Sequence, residues 1–74
     1  MQFDHSKLLG RIVEKFGTRA AFAAAVGLAE SAVSYRLNNR VHLDSEEIVL
    51  WSSPELLDIP AEEIPAYFLT PKVR

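Results

Sequence analysis

At roughly 100–200 residues per domain, a chain of 74 residues makes one small domain, and a chain of this size hides only about 60% of its unfolded surface, so a lone monomer is thinly stabilised. The absence of cysteine excludes disulfides, cysteine-ligated metals and thiol nucleophiles, and 49% hydrophobic with 24% charged residues excludes a disordered tail. The net charge of −2 divides into six basic against three acidic residues from Met1 to Val41 and two against seven from His42 to Arg74, which excludes a uniformly basic chain and predicts one basic and one acidic face.

The segment Asp4–Gly17 reads as a first helix. Leu8, Ile12 and Phe16 recur every four residues with Leu9 and Val13 beside them, while Lys7, Arg11, Glu14 and Lys15 take the polar side. Asp4 or Ser6 supplies the N-cap and Gly17 a left-handed stop. Gly10 costs a helix interior about 1 kcal/mol against alanine, which points to another helix approaching there. Thr18 caps a second helix that runs to Val26, anchored by Phe22 and Val26 among alanines and ended by Gly27. The longest apolar run, Ala20–Val26, falls well short of the ~18 residues that a membrane span needs. Met1–Gly10 lacks the basic-then-apolar layout of a signal peptide, so a cytoplasmic location is expected.

Only Gly27, Leu28 and Ala29 separate the second helix from a third over about Glu30–Asn38. There Val33 and Leu37 face inward and Ser31, Ser34, Tyr35 and Asn38 outward. After a connector, Asp44 and Glu47 form a D-x-x-E capping box for a fourth helix from Ser45 to about Trp51, with Ile48 and Trp51 turned inward. Ser53-Pro54 signals a short fifth helix in the segment SSPELL, and Asp58-Ile59-Pro60 breaks it. PAEEI allows one further turn, Pro65 bars a long helix, and the alternating residues at about 66–74 predict a short extended tail. The expected architecture is all-α: a compact bundle of about five short helices in a single domain, 1–74, built around a helix-turn-helix at about 18–38.

The helix-turn-helix is the most specific signal. A small Ala23 allows the two helices to cross closely, Gly27 relieves the turn of a β-carbon, and Leu28 and Val33 fill the space between the helices. The alternative is an ordinary αα-hairpin in a bundle. From Asp4 to about Ile59 the sequence resembles the phage Cro/CI-type, lambda-repressor-like helix-turn-helix proteins, most closely in TRAAFAAAVGLAESAVSYRLNNR. It is also similar end to end to short phage and prophage proteins of Gram-positive bacteria that open with QFD-x-SKL-x-GRI and close with YF-x-TPK, matched by Gln2–Ile12 and Tyr67–Lys72. The resemblance implies a small lysis–lysogeny regulator of the Cro or modulator type.

By that resemblance the third helix enters the major groove of double-stranded operator DNA, with Glu30, Ser31, Ser34 and Tyr35 at base edges. Thr18, Arg19, Arg36, Asn38, Asn39 and Arg40 are then the phosphate contacts. Each has a plainer alternative: Glu30 stabilises the positive end of its own helix, and Arg36 lies over the core as a surface cation. Two residues depart from the pattern. Ala29 stands where a Ser or Thr cap is common, and Arg19 replaces a common glutamine. Tyr67 and Phe68, beside a proline, are candidates for a dimer or partner interface, and homodimerisation would double the DNA contacts. The second functional class is an antirepressor that binds a partner repressor protein, with the acidic half facing the partner's basic surface. Ser31 and Ser34 have no His–Asp arrangement, no glycine-rich phosphate loop exists, and His5 and His42 lack ligand spacing. No catalysis, cofactor, metal, small-molecule ligand or membrane partner is therefore expected.

Overall fold

Leu8 and Ile12, one helical turn apart, are fully buried, and the rest of the molecule packs around the stripe they form. The computed structural model describes residues 2–72. Five α-helices follow one another: α1 (Ser6–Phe16), α2 (Arg19–Val26), α3 (Glu30–Leu37), α4 (Ser45–Ser52) and α5 (Ile64–Phe68), the last entered through a 3-10 turn at Ala61–Glu63. The all-α bundle expected from the sequence is the fold observed. Phe22 sits at the centre, its ring edge-on to Trp51 with centroids 4.8 Å apart and to Phe16 at 5.3 Å. Val33 from α3, Leu57, Ile59 and Phe68 close the core. Edge-to-face aromatic pairs add about 0.5–1.5 kcal/mol to the burial itself, which matters in so small a core.

The local signals produce the elements by identifiable means. The exception is α1, whose N-cap residue is His5 with no side-chain cap bond and not the expected Asp4 or Ser6. Asp4 stands one residue further out, where its Oδ1 accepts from the Ser6 amide at 2.9 Å and the Ser6 hydroxyl at 2.6 Å. Thr18 Oγ1 caps α2 by accepting from the Ala21 amide at 3.1 Å. Gly27, at φ 77°, turns the chain into the Leu28–Ala29 link. The capping box at α4 forms reciprocally: Asp44 Oδ1 accepts from the Glu47 amide at 2.8 Å, and Glu47 Oε1 accepts from the Asp44 amide.

Four further expectations are corrected. SSPELL does not restart a helix. Its residues turn back instead, the Leu57 amide bonding the Trp51 carbonyl and the Asp58 amide the Ser53 carbonyl. This reversal buries Leu57 and Ile59, and Arg11 of α1 clamps it by donating to the Leu57 and Asp58 carbonyls, both at 2.8 Å. The tail does not begin as an extended arm. Pro65 falls in the first turn of α5, where a missing N–H costs nothing, and the helix continues to Phe68. Phe68 is only 2% exposed, because α5 packs on α1 and α4 and inserts its ring into the core. Nothing approaches Gly10, whose surroundings are open.

The extended part of the tail is short and paired. Phe3 and Pro71 face each other in an antiparallel bridge, flanked by bonds from the Asp4 amide to the Thr70 carbonyl (2.8 Å) and from the Lys72 amide to the Gln2 carbonyl (3.0 Å). Asn39, left-handed at φ 64°, completes this terminal ribbon from the far side of Phe3. Its side chain accepts from the Phe3 amide at 3.0 Å and donates to the Phe3 carbonyl at 2.9 Å. Val73 and Arg74, the end of the expected tail, lie outside the described residues.

Candidate functional site

Alanines give α2 a slim profile, and Ala23, 2% exposed, lets α3 cross closely over it. Val33 fixes α3 from below, so its opposite face is turned outward. Glu30, Ser31 and Tyr35 are exposed, and Ser34 is half-buried at the edge of that face. Ala29 provides no side-chain cap, which leaves the first-turn carboxylate of Glu30 to complement the positive helix end. Beyond α3 the chain folds back, and the Arg40 and Val41 amides both donate to the Tyr35 carbonyl. This return holds the Arg40 guanidinium 5.9 Å from the centroid of the Tyr35 ring, a cation–π contact that presents charge and ring together.

The residues expected at phosphates separate into two groups. Arg19 and Arg40 have no acidic partner within ion-pair distance among the described residues. Arg36 has one. Its Nε donates to Glu47 Oε2 at 2.8 Å and its Nη1 to the Ala32 carbonyl at 2.9 Å, with both partners' side chains largely covered. This cation therefore joins α3 to α4 and its charge is spent. Asn39 is committed to Phe3, and the Thr18 hydroxyl to its own helix. Asn38 is exposed.

Tyr67 and Phe68 do not form a shared docking surface. Phe68 belongs to the core, and half-buried Tyr67 lies beneath the Lys7 ammonium, 4.8 Å from its ring centroid. Asp4 sits beside Ser6 at the start of α1. The Ser6 hydroxyl and the Ser6 amide, helped by Lys72 and His5, hold its carboxyl below the ordinary carboxylate value. Among the described residues no three His, Asp or Glu side chains gather as a metal site, and no helix is long and apolar enough to cross a membrane.

Sequence reasoning missed two residues, Arg11 and Lys72, and gave a third, Asn39, a phosphate contact where the fold gives it a structural bond. Arg11 lies on the polar side of α1 by period, yet it binds the turn after α4. Asn39 ties the terminal ribbon to the end of α3. Lys72 reaches the same neighbourhood from the chain's other end, lining a cleft with Arg19 and Asn38. The available signal was the pair of terminal motifs themselves, which meet in the fold.

A family model described as "Protein of unknown function (DUF739)" matches residues 1–71. The solution structure of the modulator of repression (MOR) of the temperate bacteriophage TP901-1 from Lactococcus lactis is similar at a TM-score of 0.80. It is 42% identical in sequence, and the match covers 100% of this chain and 97% of that one. No curated protein sequence matches. The family match runs through α1–α5 and into the terminal ribbon as far as Pro71, and the phage modulator shares both the fold and two-fifths of the residues: the chain belongs to the DUF739 family.

Proposed function

We propose that the chain is a small phage-type regulator of transcription that lays the outer face of α3 in the major groove of operator DNA. The α2–turn–α3 unit carries this reading: a tight crossing at Ala23, a left-handed Gly27 and a third helix packed by Val33 with Glu30, Ser31 and Tyr35 exposed on its outer face. In that pose Ser31 and Ser34 meet base edges, Glu30 accepts from a cytosine amino group, and Tyr35 reaches a thymine methyl or a phosphate. Arg19, Arg40, Asn38 and the backbone at the Thr18 cap meet phosphates. Arg36 and Asn39 act indirectly by holding α3 in place. A homodimer on half-sites about 34 Å apart would double these contacts, and regulation would follow from occluding polymerase.

A second reading has its own support. The Arg36–Glu47 pair removes a cation from the α3 surface, and the similar phage protein is titled a modulator of repression. On that reading the chain is an antirepressor that binds a partner repressor and alters its hold on DNA.

Titration into labelled duplex from the regulatory region of its own gene, with a random duplex as control, decides between them. The DNA reading expects selective binding that falls about a thousandfold between 50 and 200 mM salt for six phosphate contacts. Ser34→Ala combined with Tyr35→Ala should abolish the selectivity. Equal or absent binding to both duplexes overturns the DNA reading in favour of the second.

A further inference from the structure

Where the starts of α1 and α2 meet the end of α3 and the terminal ribbon, a cleft of about 370 Å³ opens. Arg19 enters it from α2, Lys72 from the ribbon, Asn38 from the end of α3, and Ser6, His5 and Asp4 from the start of α1. We propose that this cleft is a phosphate subsite, and that Lys72 is a DNA-backbone contact within it. The assignment to DNA rests on the functional reading above.

Two cations converge on one concave surface from distant parts of the chain, and neither has an acidic partner within ion-pair distance among the described residues. Arg19 brings a planar fork of donors and Lys72 a mobile point charge, a combination suited to a tetrahedral oxyanion. Asp4 opposes it: its carboxylate stays charged while accepting from the Ser6 amide and hydroxyl, and it also feels the charge of Lys72, so two cations against one anion leave the cleft a net positive charge. The position of Lys72 is set by the fold. Its amide is bonded to Gln2, and the neighbouring Phe3 is held by Asn39 at the end of α3. A phosphate in the cleft therefore lies beside the start of α2 and the end of α3.

Inorganic phosphate is the first probe, titrated into isotope-labelled protein while the amides of Ser6, Arg19 and Lys72 are followed by NMR. Saturable shifts are expected there. Lys72→Ala and Arg19→Ala should each weaken them about threefold, and Asp4→Asn should strengthen them by a similar factor. A purely structural Lys72 would produce no such opposite pair. Trp51 fluorescence checks that each variant is folded. On duplex, Lys72→Ala should reduce the log–log salt slope by about 0.9, equally for operator and random sequence. Phosphate shifts that are absent, or indifferent to all three variants, overturn the subsite. Duplex binding with an unchanged slope overturns Lys72 as a DNA contact and leaves the DNA reading standing. The expected phosphate shifts without any duplex binding support the cleft for a free phosphoryl ligand and overturn the DNA reading.

Discussion

Phe68 and Asn39 show how one side chain decides what its neighbours do. Phe68 is enclosed by α1 and α4, so Phe68→Ala should cost about 3–5 kcal/mol by lost transfer and a residual cavity. Tyr67→Ala, whose ring is only half-buried, should cost well under half as much; urea denaturation followed by Trp51 fluorescence measures both. Asn39 combines a left-handed backbone with two bonds to Phe3. Asn39→Gly keeps the backbone and loses the bonds, whereas Asn39→Ala loses both, so the alanine variant should be the less stable by about 1 kcal/mol. Hydrogen exchange at the Phe3 amide should accelerate in both variants. Asp4 adds a pH dependence. Its carboxyl is held low by Ser6 in the folded chain, so its contribution is present above the unfolded carboxylate value and is lost as the pH falls through the lower folded one. Asp4→Asn should flatten the acid limb of the stability profile measured by circular dichroism.

Glu47 gives α4 two functions, closing the capping box with one oxygen and pairing with Arg36 through the other. Glutamine preserves the reach of the box and removes the charge. Glu47→Gln should therefore change stability little, release the Arg36 charge and raise affinity for duplex at low salt, whereas Asp44→Ala should cost about 0.5–2 kcal/mol and leave DNA affinity alone. Calorimetry and the duplex titration read the two effects separately. Elements opened by a strong local signal were the legible ones: α2 with Thr18, the turn at Gly27 and α4 with Asp44 and Glu47 all stand where the sequence put them. Ser53-Pro54 carries an equally good local signal and fails. The turn there is set by the burial of Leu57 and Ile59 and by Arg11 reaching from α1, and none of these is local. At the candidate site, outward positions on α3 followed from helical period. The withdrawal of Arg36 and the arrival of Lys72 depend on tertiary pairing, which periodicity does not encode.

At the scale of the whole molecule, the two ends of the described residues lie side by side. Gln2–Asp4 and Thr70–Lys72 are bonded across an antiparallel bridge, and the ribbon they form rests on Asn39, two positions beyond the end of α3. Closing a loop that contains nearly the entire chain is entropically slow to be repaid, so the ribbon should form after the helices have packed. It should also open first under mild denaturant, as a separate exchange unit at the Asp4 and Lys72 amides. The same adjacency makes the polypeptide nearly a closed ring. Joining its ends through a few glycines and cutting it elsewhere, at the exposed turn beside Pro54, should yield a circularly permuted protein of the same fold. Such a permutant would test whether the order in which the elements are connected matters at all, or only the neighbours each one finds.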